Sequence, residues 1–266
     1  MTDRDQFLAG VAAFLEYKKE EGVQTLEISV ETRAALQPAD PRKPAARQAE
    51  KPLRKTEPAR VAAPAPVQVP GDDIRVTGKT LEEIAEQIAA CTACGLCKSR
   101  NKTVPGEGCA DRPDVMFIGE GPGADEDAQG RPFVGKAGQL LTKMIGAMGY
   151  TREQVYIANI VKCRPPGNRV PSAEEMSACS PYLRRQIELI KPKIIVALGK
   201  TAIEGLLNKK VAITRFRGTW STCEGIDMMP TFHPTYLLRS PNKKREAWTD
   251  LQAVLARLGK TPPNSR

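Results

Sequence analysis

Residues able to do chemistry fall in a few stretches of this 266-residue chain. Cys91-Thr-Ala-Cys94 is a Cys-x₂-Cys pair, and Cys97 extends it into a run with ferredoxin-like spacing. Cys163 and Cys179 stand on either side of the loop RPPGNRVP. The chain has one histidine, His233, in the segment FHPTYLL. Asn159 ends the apolar run YIAN, where a buried amide without partners would cost a few kcal/mol. Between these lies GEGPGADEDAQGRPFVGKAG, residues 119–138. Part of it, Gly130 to Ala137, has the look of a phosphate-cradling loop.

That loop needs a strand feeding directly into it, free backbone N–H groups, and a hydroxyl after the lysine to hold magnesium. Ala137 has no hydroxyl, Pro132 removes an N–H, and the nearest apolar strand ends near Gly119. A nucleotide triphosphatase is therefore excluded, and a pocket for a nucleic-acid base remains.

The elements that must position these residues follow from periodicity. Leu81, Ile84 and Ile88 share one face of a helix that begins near Thr80. DVMFIGEGPG is a buried strand entering a glycine-rich turn, and GQLLTKMIGAMGY is the helix after it. VYIANIVKC is a second strand, SAEEMSACSPYLRRQIELI a helix opened by a Ser-x-x-Glu cap at Ser172, and KIIVALG a third strand. Strands alternating with helices predict a parallel sheet in an α/β layer fold, with ligands at the carboxyl ends of the strands.

Upstream, Phe7, Leu8, Val11, Phe14 and Leu15 predict an amphipathic helix over 3–21, within an N-terminal segment 1–35. Residues 36–79 are rich in Pro and Ala and read as a disordered linker. The remainder, 80–266, is the expected folded domain. Basic and acidic side chains number 13 and 12 over residues 1–79 but 27 and 19 beyond, so the positive field belongs to the folded part and suits a polyanionic partner. No apolar run spans a bilayer and the start is acidic, which points away from a membrane and toward the cytoplasm. In that reducing setting, seven cysteines suggest metal or redox chemistry before disulfides.

Taken in order, GEGPGADED (119–127), GRPFVGKAGQLL (130–141), YIANIVKCRPPGNRVP (156–171), IIVALGKTA (194–202) and FHPTYLL (232–238) resemble the family 4 uracil-DNA glycosylases, the iron–sulfur members of their superfamily. The resemblance covers residues from about 80 to 257 and leaves the N-terminal part outside. It implies a three-layer α/β/α sandwich with a central parallel sheet, here preceded by the linker and the short helix. It also implies a [4Fe–4S] cluster, a monomer, and hydrolysis of the N-glycosidic bond of flipped-out uracil in DNA, the first step of base excision repair.

Carried over by position, the resemblance makes Phe133 the face on which uracil stacks and Asn159 the amide that reads its edge. A carboxamide offers a donor and an acceptor, the complement of uracil O4 and N3–H but not of cytosine. His233 would lie beside uracil O2 and stabilise the departing anion. The backbone at Glu120 and Gly121 would approach the base and the attacking water. The best-known uracil glycosylases carry Asp where this chain has Gly121, so no strong general base is assured. Glu120, Asn168 and Glu126 are the candidates to position water on a dissociative path.

The resemblance assigns Cys91, Cys94, Cys163 and Cys179 to the cluster. Spacing alone admits Cys97 equally, and four thiolates also suit zinc. In HPTYLLRSPNKKR, Leu237 and Leu238 are candidate wedges for base extrusion, and Arg239, Lys243 and Lys244 candidate phosphate contacts. Two other readings are a uracil-DNA binder without turnover and an interaction protein tethered to a replication or repair partner by residues 1–35. Relatives that trap DNA covalently use a histidine in the loop corresponding to RPPGNRVP, which has none.

Overall fold

The computed structural model describes residues 76–263. The N-terminal segment 1–35 and all but the last four residues of the linker expected over 36–79 lie outside the described residues.

Helix α1 (Leu81–Ala90) starts where its sequence signal places it, with the Thr80 hydroxyl accepting the Glu83 N–H at 3.2 Å. It leads through a 3₁₀ turn (Gly95–Lys98) to a two-residue strand β1 (Glu107–Gly108). Strand β2 (Val115–Gly119), helices α2 (Ala124–Gln129) and α3 (Lys136–Ala147), and strand β3 (Tyr156–Asn159) follow. After them come α4 (Ala173–Ile190), β4 (Ile194–Leu198), α5 (Lys200–Leu207), α6 (Ile213–Phe216), β5 (Ser221–Cys223) and β6 (Ile226–Thr231). Helices α7 (Pro234–Arg239) and α8 (Lys244–Arg257) complete the domain.

The sheet order is β1-β3-β2-β4-β6-β5. Its four central strands are parallel, as expected, and the short β1 and β5 pair antiparallel at the two edges, so the sheet is mixed. Strands β2, β3 and β4 are buried along their whole length, which is why they read as continuous apolar runs. Their alternate residues serve two cores. Met116, Ile118, Ile195 and Ala197 pack with Leu183, Ile187 and Ile203 of α4 and α5. Val115, Phe117, Val196 and Leu198 pack with Leu141 and Ile145 of α3 and with Leu251 and Val254 of α8. This is the three-layer arrangement. Among the described residues, no helix is long and apolar enough to cross a membrane.

Register sets the position of the site. Gly119 pairs with Asn159, and Leu198 with Thr231, so the carboxyl ends of the four parallel strands emerge together. From β2 the chain crosses to β3 on one side, and β4 lies on the other. The order therefore reverses around β2, the place where open α/β sheets form ligand crevices.

Candidate active site

An open cleft of about 610 Å³ lies at those strand ends, a size suited to a ligand as large as a nucleotide. Glu120, Gly121, Phe133, Asn159, Asn168, His233 and Arg239, all singled out from the sequence, line it together.

Asn159 is buried, and its Oδ1 has no hydrogen-bond partner among the described residues. A buried acceptor left open in this way is expensive unless a ligand supplies the donor. Phe133 lies beside it. A Cβ on Gly119 would sit 2.4 Å from Phe133 Cζ and 2.5 Å from Asn159 Oδ1, so only glycine lets the ring and the amide meet over the end of β2.

Phe133 holds φ at +52°, a conformation that costs a bulky residue of order 1–3 kcal/mol. The groups that impose it are visible. Glu126 accepts the N–H groups of Val134 and Gly135, both at 2.9 Å, through one carboxylate oxygen, and that of Gly123 at 3.0 Å through the other. Arg152 donates to the carbonyls of Pro132 (2.7 Å) and Phe133 (3.0 Å). Both oxygens of Glu126 are bonded to backbone N–H groups, so it holds the loop in place. It is a loop clamp, and so is Arg152, a residue that no motif or spacing marks.

His233 follows β6 and caps α7. The Thr235 N–H donates to its Nδ1 at 3.2 Å, which puts the proton of the neutral ring on Nε2. Its ring centroid lies 5.8 Å from that of Phe133, tilted by 36°. Burial, aided by the Arg239 charge and opposed by Glu126, pushes the imidazole down to about 4. At neutral pH the ring is an uncharged Nε2–H donor. Asn168 is exposed at the rim with φ +56°, and its Oδ1 accepts from Arg164 Nε at 2.8 Å, which leaves its amide N–H₂ for another partner.

Beyond His233 the two leucines part. Leu237 is 1 % exposed and packs with Phe232 and Ala247, whereas Leu238 is 43 % exposed. Leu237 is therefore core and cannot serve as a wedge, because α7 turns it inward. Lys243 is bound to Glu246 at 2.6 Å, so part of its charge is already compensated, while Arg239 and Lys244 are exposed and belong to no ion pair among the described residues.

On the other side of β3, Cys91, Cys94, Cys97, Cys163 and Cys179 line one small pocket with Ile88, Leu96 and Tyr182. Among the described residues, no three His, Cys, Asp or Glu side chains close on a single ion. Five thiols nevertheless share that one pocket wall. Burial raises the thiols of Cys94 and Cys163, and that of Cys179 to about 12, so each gives up its proton only to a cation that replaces it. Two donors already point at sulfur: the Lys162 N–H at Cys179 Sγ (3.3 Å) and Arg100 at Cys163 Sγ (3.2 Å). Hydrogen bonds to ligating sulfurs are a usual feature of iron–sulfur sites, so the residues present fit such a group. Cys97 shares the pocket, Cys109 stands elsewhere, and Cys223 is buried against the Leu206 carbonyl.

The model of the uracil DNA glycosylase superfamily matches residues 105–252. A type-4 uracil-DNA glycosylase of Thermotoga maritima is 51% identical over 164 residues, covering 60% of this chain and 84% of that one. The corresponding protein of Sulfurisphaera tokodaii is 45% identical over 184 residues, 66% of this chain and 83% of its own. That of Archaeoglobus fulgidus is 38% identical over 193 residues, 70% of this chain and 96% of its own.

Proposed function

This chain belongs to the uracil-DNA glycosylase superfamily, and from that premise we infer that it is a uracil-DNA glycosylase, hydrolysing the bond between uracil N1 and deoxyribose C1′ in DNA. The observation that carries the reading of the site is the open acceptor of Asn159 at the bottom of the cleft, beside the Phe133 ring.

Uracil turned out of the helix stacks on Phe133. Its N3–H donates to Asn159 Oδ1, and Asn159 Nδ2 donates to O4. Cytosine has no proton at N3 and an amino group at position 4, so it would leave the buried amide unpaired on both sides, a penalty that discriminates strongly. His233 presents Nε2–H to O2. As the C1′–N1 bond breaks, its electron pair leaves with the base, and the negative charge that gathers on O2 meets a donor already in place. No proton need move to or from the imidazole. Water adds to C1′ of the oxocarbenium-like sugar and loses its proton to solvent. Glu120 and the amide of Asn168, both lining the cleft, orient that water.

Arg239 and Lys244 bind phosphates, with Lys243 a weaker contributor, and Leu238 alone enters the gap left by the flipped nucleotide. Cys91, Cys94, Cys163 and Cys179 would hold a [4Fe–4S] cluster. When bound, it supplies iron–thiolate bonds that join the end of α1, the loop after β3 and α4, a structural role that asks for no redox step. The test is incubation of the purified protein with an oligonucleotide containing one uracil. Free uracil and an abasic site are expected; an intact oligonucleotide, or a stable protein–DNA adduct, would refute turnover.

A further inference from the structure

Lys162 is 0 % exposed, and its ammonium contacts only neutral groups, the Pro105 carbonyl at 3.1 Å and Gln186 Oε1 at 2.7 Å. Gln186 is itself fully buried and donates to the same carbonyl at 2.9 Å. No carboxylate lies within ion-pair distance of Lys162 among the described residues, whose ion pairs are all made by other cations. A buried cation without an anion is among the costliest arrangements a fold can hold.

Arg100 repeats the pattern. Its guanidinium donates to the carbonyls of Ala89 (2.7 Å) and Cys91 (2.9 Å) and to Cys163 Sγ (3.2 Å), and among the described residues it too has no carboxylate partner. Both residues line the pocket that the cysteines share, Arg100 reaching a sulfur with its guanidinium and Lys162 with its backbone N–H. Two cations on residues that border one cysteine-lined pocket, each satisfied in hydrogen bonds and neither in charge among the described residues, call for an anion there.

A [4Fe–4S] core held by four thiolates is that anion, since in its usual oxidation state the assembly is a dianion. We infer that Arg100 and Lys162 are its counter-charges, bringing the buried assembly to neutrality from opposite sides. Arg100 does so from the half-exposed rim, through a hydrogen bond to a sulfur. Lys162 does so from within, held at its post by Gln186 and the Pro105 carbonyl. Neutrality lets a charged cluster persist in a pocket of low dielectric, and the same two charges favour the more electron-rich state of the cluster. The inference rests on the cofactor reading above and extends it to residues that are not ligands.

The experiment uses the anaerobically purified full-length protein and begins with iron, sulfide and absorbance near 400 nm for the native chain. A native protein without iron and sulfide refutes the cofactor reading itself, and the counter-charge assignment with it. Given a cluster, its loss to an iron chelator is followed for Lys162→Met, Arg100→Gln and Gln186→Leu. The first two remove a charge, Lys162→Met with little change of volume; the third removes a hydrogen-bonding partner and keeps the charge. Lys162→Met and Arg100→Gln are expected to lose the cluster roughly tenfold faster or more, as the loss of a charge-assisted contact implies, and Gln186→Leu far less. The reduction potential should fall in the two charge variants only, a shift that a packing defect does not produce. Retention and potential like those of the native protein in Lys162→Met, or equal lability in Gln186→Leu, would overturn the inference. Should Lys162→Met not fold, Arg100→Gln decides by the same two readouts.

Discussion

Replacing His233 separates its two jobs. Its Nδ1 caps α7 by accepting the Thr235 N–H, and its Nε2–H faces the cleft beside Phe133. Loss of a cap costs about 0.5–2 kcal/mol. Loss of a donor aimed at developing charge lowers a rate by roughly 10²–10³, or about 2.7–4 kcal/mol of transition-state stabilisation. His233→Ala removes both. His233→Asn restores a good capping acceptor on a side chain too short to reach the base. Single-turnover release of uracil should therefore fall by roughly 10²–10³ in both variants. Only the alanine variant should lose Tm, by about 2–4 °C for each kcal/mol in a domain of this size. The pH dependence follows from the burial that holds the imidazole near 4. Because the native ring resists protonation more than the unfolded one, this group's contribution to stability is complete above about pH 6.5 and is lost as pH falls from there toward 4. Cleavage should show no inflection near 6.5 and should decline only as pH approaches 4. A His233→Asn protein that cleaves within about threefold of the native rate would refute the donor role, since one such donor is worth far more.

Gly119→Ala places a methyl group 2.4 Å from the Phe133 ring and 2.5 Å from Asn159 Oδ1. It should cost about 1–3 kcal/mol in a melt and lower uracil release by more than that melt implies, because both recognition groups must shift. Leu237→Ala should destabilise the domain by about 2–5 kcal/mol. Leu238→Ala should leave the melt unchanged and slow cleavage of duplex more than of single-stranded substrate, as measured by paired time courses. Cys163→Ala should lose the absorbance near 400 nm and Cys223→Ala should keep it, since Cys223 lies away from the cysteine-lined pocket.

The parts of this fold that were legible in sequence are those whose signal is local. The buried runs of β2, β3 and β4 announce themselves, and Thr80 and Ser172 mark their helices through caps that the structure contains, with Ser172 and Glu175 bonded in both directions. Strand β6 escaped because Asp227 and Pro230 interrupt its apolar pattern, and β1 and β5 because two or three residues carry no periodicity. The strained backbone of Phe133 could not be read either. It is imposed by Glu126 and Arg152 from other parts of the chain, and an acid in an exposed-looking GADED run gives no sign that its oxygens bind amides at 134 and 135. Leu237 and Leu238 are equivalent in type and adjacent in sequence; only the direction of α7 assigns one to the core and the other to the surface. The isolation of Lys162 from the carboxylates of the described residues is likewise a property of the fold, invisible in a string where acids are plentiful.

Recognition of uracil rests most directly on Asn159, whose open Oδ1 is the reason to place the base in this cleft. The measurement is single-turnover release of uracil from a U·G duplex by the native protein and by Asn159→Asp, at several pH values and with a C·G duplex alongside. The native protein should release uracil and leave C·G untouched. The aspartate variant, which lacks the amide donor for O4 and sets a carboxylate against it, should release uracil at least about 10²-fold more slowly at neutral pH. Release of uracil at the native rate by Asn159→Asp would contradict the account and move base recognition to another part of the molecule.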